Sequence, residues 1–338
     1  MIRRITDDNA GFVKDVSDII ALEALKHSNL IPNLSGDKTL FLFSDYSRVR
    51  GHYKTYSFLV LGRSGADFFN GARKKFRKDF GLGNRQMSFK GLNDKVKLRS
   101  LPAFLSLAGA LNGFILTFAV STSIPYMFAE QFLPVWPELA KFKKPVLEEM
   151  LRIAHFGAQA VLIAFNRKQN IVWFTDEDNI VANDAHQDSF GRIAQAVIRG
   201  VLPNEEIGRI GFGLTGVDDG SFGIEDLAAI PDLVAGALCE LLDTLSEKGQ
   251  RITPRVDLTH PAVSGKTDMI CEWIGKIHCP LKKFSVTFDL TGPGTWDWRP
   301  TFFRIKNMNT AECEFTCPAQ RRAQPISEPI RFDIGDQY

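Results

Sequence analysis

The chain has 338 residues, 44% hydrophobic and 24% charged, enough to bury a sizeable core without help from disulfides. Its 41 basic and 39 acidic residues leave a formal charge of +2, so no global field attracts nucleic acid and any attraction must come from local patches. Five cysteines, an odd number behind an acidic amino-terminal stretch with no leader-like apolar run, argue against a secreted disulfide scaffold and predict a cytoplasmic protein.

Residues 10–27 carry Phe12, Val16, Ile19, Ile20 and Leu25 at near-helical spacing, which predicts an amino-terminal helical extension over residues 1–38 that ends in the breaker run NLIPNLSGDK. TLFLFSD (39–45) and TYSFLVLG (55–62) read as buried strands joined by the charged connection RVRGHYK. ADFFNGARKKFRKDF follows as a basic surface helix whose run Arg73, Lys74, Lys75, Arg77 and Lys78 reads as a solvated face. RQMSFK (85–90) is a third strand candidate. LNDKVKLRSLPAFLSLAGAL is a helix leading into the β-rich GFILTFAVS. The apolar stretch 101–120 is interrupted by Pro102, Ser106, Asn112 and Gly113, so it predicts a buried helix and strand and no membrane association.

Beyond it, a long helix fits 145–167, a strand ending in acids fits NIVWFTDED (170–178), and a helix fits QDSFGRIAQAVIRGVL. GRIGFGLTG is a further strand, and PDLVAGALCELLDTLSEK (231–248) is an amphipathic helix opening on its proline. Strands first cluster and then alternate with helices, which predicts an α/β fold with a mixed sheet covered on both faces over residues 39–248. From 249 to 338 the sequence turns rich in proline, glycine, aromatics and cysteine, a β-rich or irregular appendage.

Asp45 follows TLFLF and Asp176 follows IVWFT, so both stand where a buried strand leaves the core, the usual edge for a ligand crevice in α/β sheets. Asp232 follows Pro231 at the expected helix start, and Asp94 lies near the start of another helix. Carboxylates from distant parts of a chain suit a pair of hard cations, Mg²⁺ or Mn²⁺, that activate water and stabilise a leaving oxygen. The same residues also have plain roles, as turn formers for Asp45 and Asp176, a dipole complement for Asp232 and a cap for Asp94.

In order, LFLFSDYS, VWFTDED and LAAIPDLVAGAL resemble the first strand, fourth strand and closing helix of the ribonuclease H-like superfamily. The likeness extends over about residues 39–248 and is greatest to a bacterial and phage-borne branch. The resemblance implies a metal-dependent nuclease with Asp45, Asp176 and Asp232 as ligands, cutting DNA or RNA. A further acid is expected after the third strand, where SFKGLNDKVKLR offers Asp94 as nearest candidate and Lys90 stands where an acid could have been. That departure leaves open a non-catalytic binding or effector module with a degenerate site.

Arg48, Arg50 and Lys54, beside Asp45, are candidate phosphate contacts. Asp178 is a candidate support for the metal, while Asp184, His186 and Asp188 suit capping. Cys271, Cys279, Cys313 and Cys317, with His278, are candidates for a structural Zn²⁺, at spacings wider than a usual knuckle, in an appendage that could recognise a protein partner. Cys239 fits the apolar face of the closing helix.

Overall fold

The computed structural model describes residues 5, 12–26, 31–47, 51–128, 137–176, 184–202, 207–218, 220–250, 252–253, 255–257, 263–276, 278–292, 295–304 and 322–323. Nine strands form one mixed sheet: β1 (Thr39–Tyr46), β2 (Tyr53–Gly62), β3 (Gly113–Ser121), β4 (Asn170–Thr175), β5 (Ile210–Leu214), β6 (Arg255–Asp257), β7 (Lys282–Gly292), β8 (Thr295–Arg304) and β9 (Arg322–Ala323). Their order is β5-β4-β1-β2-β3-β7-β8-β6, with β9 on β8. β2 pairs antiparallel with both β1 and β3, whereas β4 pairs parallel to β1, β5 to β4 and β7 to β3.

Among the described residues seven α-helices cover the two faces: α1 (Phe12–Lys26), α2 (Arg63–Asp79), α3 (Lys95–Gly109), α4 (Lys144–Ala164), α5 (Asp184–Val201), α6 (Gly223–Glu247) and α7 (Gly265–Ile274). Alternation along β1 divides the core. Leu40 and Leu42 point to the side of α1, α4 and α5, while Phe41 and Phe43 point to the side of α2, α3, α6 and α7. Burial on both faces explains why β2 and β3 read as unbroken apolar runs.

Three expectations change. RQMSFK is not a strand: residues 83–88 are irregular and pass into a 3₁₀ turn at Lys90–Asn93. The closing helix starts at Gly223, with Pro231 inside it, so Asp232 sits in its third turn and cannot serve its first-turn dipole. The described part after residue 249 is continuous with the core, because β7 continues the sheet beside β3 and α7 packs on α6.

Candidate functional site

The paired positions of β1 and β4 end at Ser44 and Thr175, so Asp45 and Asp176 come next, abreast on neighbouring parallel strands. Both follow phenylalanines of the α6 face, Phe43 and Phe174, at the two-residue spacing that keeps a side chain on one side of the sheet. Asp45 is half-buried and Asp176 exposed. The Asp45 carboxylate accepts the Tyr46 N–H at 2.6 Å, and Asp176 accepts the Thr215 hydroxyl at 3.1 Å.

On the other face a chain of hydrogen bonds fixes the two strands at the same level. The Trp173 indole donates to Ser44 Oγ at 2.8 Å, Ser44 Oγ meets the Tyr46 hydroxyl at 2.7 Å, and that hydroxyl meets Thr175 Oγ1 at 3.0 Å. Burial holds the Tyr46 phenol far above its ordinary range, so it keeps its proton. Gly157 of α4 makes room for the indole, since a Cβ there would lie 2.2 Å from the Trp173 ring.

Asp232 faces this edge from α6. Its Oδ2 accepts the Phe89 N–H at 2.5 Å, and the Phe89 ring rests on Gly236, where a Cβ would lie 2.3 Å from it. Lys266 of α7 closes the unit, donating to the Phe89 carbonyl at 3.1 Å with its ammonium 4.2 Å from the Phe89 ring centroid. Burial pushes Asp232 up to about 6; the Phe89 N–H opposes this, the Asp176 charge adds to it, and Lys266 pulls back. The segment expected as a third strand is thus the loop that positions Asp232.

Glu225 stands seven residues before Asp232, two helical turns on nearly the same side of α6. Its Oε2 is buried with no hydrogen-bond partner among the described residues. Burial raises its pKa, as do Asp218 and Asp176, against Arg77. The i, i+7 spacing was the available signal for Glu225. Nothing in the sequence marked Lys266, which comes from beyond the expected core.

Asp94 takes a different role. It caps α3, accepting the Val96 N–H at 2.7 Å and the Lys97 N–H at 3.2 Å, and pairs with Arg85 at 3.3 Å. Lys54 points to the α4 face, away from Asp45, and pairs with Glu149 at 2.5 Å. Arg48, Arg50, Asp178, Cys313 and Cys317 lie outside the described residues. Cys239 and Cys271 are buried in the core, and burial pushes the Cys271 thiol up. His186 lies edge-on to Phe142, with ring centroids 5.2 Å apart.

Two arginines of the basic helix are not solvated. Arg77 donates twice to the fully buried Asp226, at 2.8 and 3.1 Å, and Arg73 stands 3.8 Å from the same carboxylate. Burial raises Asp226 to about 6, with Arg77 and then Arg73 holding it down, so it is ionised at neutral pH.

Among the described residues no three His, Cys, Asp or Glu side chains form a metal-holding group. Asp45, Asp176 and Asp232 nevertheless supply hard oxygen donors, and the mutual repulsion of Asp176 and Asp232 is of the kind a divalent cation relieves. No protein-family profile matches the chain, and no curated protein matches it.

Proposed function

We propose that this chain is a ribonuclease H-like nuclease that hydrolyses nucleic-acid phosphodiesters at Asp45, Asp176 and Asp232. One observation carries the reading: two carboxylates stand abreast on parallel neighbouring strands, with a third opposite them on α6. The strings that resemble the superfamily fall on β1, β4 and α6, in the order the resemblance implies.

Asp45, Asp176 and Asp232 are the residues that would hold Mg²⁺ or Mn²⁺, which when bound supplies water activation and leaving-group stabilisation. The protein's own work is positional. The Trp173–Ser44–Tyr46–Thr175 chain fixes Asp45 against Asp176, and the Phe89 N–H fixes Asp232. In the hydrolysis, the water oxygen bonds to phosphorus and the P–O3′ bond breaks, leaving a 5′-phosphate and a 3′-hydroxyl.

The test is cleavage of mixed DNA and RNA with Mn²⁺ by pure protein and by Asp45→Asn and Asp176→Asn. Cleavage that both variants lose is the expected result; undiminished cleavage sinks the assignment. The use of Asp94 as a cap favours a second reading, a binding or effector module with an incomplete site. That reading requires no turnover and no rise in thermal stability with Mn²⁺, which calorimetry reads directly.

A further inference from the structure

A groove of about 760 Å³ runs between α2 and the start of α6, on the same face of the sheet as Asp45 and Asp176. Its floor is Phe41, Phe43 and Phe174, with the Phe43 and Phe174 rings stacked at 5.5 Å and 18°. Phe41 and Phe174 are only half-buried, so flat apolar surface faces the groove. Along β1 and β4 the next residues on this face are Asp45 and Asp176, roughly 6.6 Å beyond the floor at the ordinary strand rise.

The walls differ in charge and are held firmly. On α2, Arg63 and Lys74 line the groove, and exposed Lys75 and Lys78 carry the positive charge onward, against Asp67 and Asp79. The opposite wall includes Val217, Asp218, Ser221 and Gly223. Buried Arg73 donates to the Ser221 carbonyl, and Arg77 lies 3.9 Å from the centroid of Phe222, a non-glycine residue at φ 59°. Asp218 caps α6 through the Ile224 N–H at 2.7 Å. The buried arginines and Asp226 thus hold a strained wall in place, and strain held by its surroundings is a mark of a functional segment. This preorganisation lowers the ordering a ligand must supply.

The geometry points to this groove as the binding site for an unpaired nucleotide of a single-stranded nucleic acid, with its base on Phe41 and Phe174 and its phosphates toward Arg63 and Lys74. Three features select that occupant. Aromatic faces stack bases without regard to sequence. The cationic wall suits the backbone. The floor runs on into the carboxylate row, so the strand reaches the reacting edge without turning. A duplex presents a base to this floor only after unstacking and unpairing it, a cost that a single strand avoids. The inference rests on the nuclease reading and names its substrate as single-stranded.

The experiment measures fluorescence anisotropy of labelled 12-mers of dT and of rU, and of a 12-base-pair duplex, in EDTA so that binding is read without cleavage. At least one single strand binds tenfold or more tighter than the duplex, and the preferred sugar identifies DNA or RNA. Phe41→Leu with Phe174→Leu, which keeps apolar volume but removes stacking, weakens that strand roughly 5- to 150-fold per stacked base. Lys74→Ala lowers the slope of log affinity against log salt by about 0.7. A 12-mer carrying 5-iodouracil cross-links to Phe41 or Phe174 under ultraviolet light.

Equal binding of duplex and single strand overturns the inference. So does unchanged affinity in the leucine variant at an unchanged melting temperature. Cleavage assays separate the two ideas. Metal-dependent cleavage that is indifferent to the leucine substitutions removes the groove and leaves the nuclease. Groove-dependent binding with no cleavage at all removes the nuclease and leaves the groove.

Discussion

Substituting Gly236→Ala tests the loop that holds Asp232. The added Cβ would lie 2.3 Å from Phe89 Cγ and Cδ1 and 2.8 Å from its Cβ, distances no side chain tolerates. Phe89 must therefore retreat, and its N–H is the donor to Asp232 Oδ2. Overpacking of this kind costs about 1–3 kcal/mol. Losing a hydrogen bond to a charged group adds about 1.5–3 kcal/mol if water does not replace it. Alanine's better helix propensity returns about 1 kcal/mol. A net loss of about 1.5–5 kcal/mol in urea unfolding is the expected outcome. Gly71→Ala is the control: it lies on α2 with nothing within 4 Å of the added carbon, and should gain about 0.5–1 kcal/mol. If Gly236→Ala were as stabilising as Gly71→Ala, the account of Phe89 as the clamp on Asp232 would be wrong.

Asp226→Asn leaves Arg73 and Arg77 buried without their counter-charge, and a loss of about 3–5 kcal/mol at neutral pH is expected by denaturant unfolding; less than about 1 kcal/mol would mean the arginines find water instead. His155 is buried and stacked on Phe128 at 4.4 Å, and burial lowers its pKa to about 3 from an ordinary 6.5. Its folded pKa is the lower one, so the unfolded chain takes the proton first: its contribution is full above about 6.5 and falls away as the pH drops toward 3, by at most about 4–5 kcal/mol. The difference in stability between wild type and His155→Phe, followed from pH 7.5 to 4, should shrink accordingly, and a flat difference would reject the buried neutral imidazole. Lys54→Met breaks the pair with Glu149 and the contact of the ammonium with the Tyr56 ring, 5.5 Å from its centroid, so it should cost about 1–2 kcal/mol in thermal unfolding and leave the salt dependence of nucleic-acid binding unchanged.

Period and turn chemistry made most of the sheet legible. The continuous apolar runs of β1, β2 and β3 and the acids after IVWFT follow from which faces are buried. The failures have physical causes. Pro231 looked like a helix start because proline suits the first turn. Inside α6 it forgoes the bond to the Leu227 carbonyl and its ring crowds that oxygen, a cost the packing of Leu227, Ile230, Leu233 and Val234 offsets. RQMSFK has strand composition, but its ordering comes from Asp232, Gly236 and Lys266, more than 140 residues away. The basic run departs from a solvated face for the same reason: the partner of Arg73 and Arg77 is Asp226, which no local pattern announces.

The register also explains why acids gather at one end of this sheet. Asp45 stands opposite Ser57, Ser57 opposite Thr117, Thr117 opposite Ser285, and Ser285 opposite Thr301, a polar row across five strands beneath the helices. Its interior members are neutral hydroxyls: Ser57 and Thr117 bond each other at 2.8 Å, and Thr301 bonds Thr287 at 2.8 Å. A hydroxyl pair is buried at small cost, whereas a lone carboxylate in the same place would lose several kcal/mol of solvation. Charge is therefore confined to the end of the row where Asp45 and Asp176 meet the surface. Where a carboxylate is taken fully inside, at Asp226, two guanidiniums come with it. At the sheet edge the Asp176 charge instead pushes Asp232 up against the pull of Lys266, and this repulsion between neighbouring carboxylates is what recommends them as ligands for a cation.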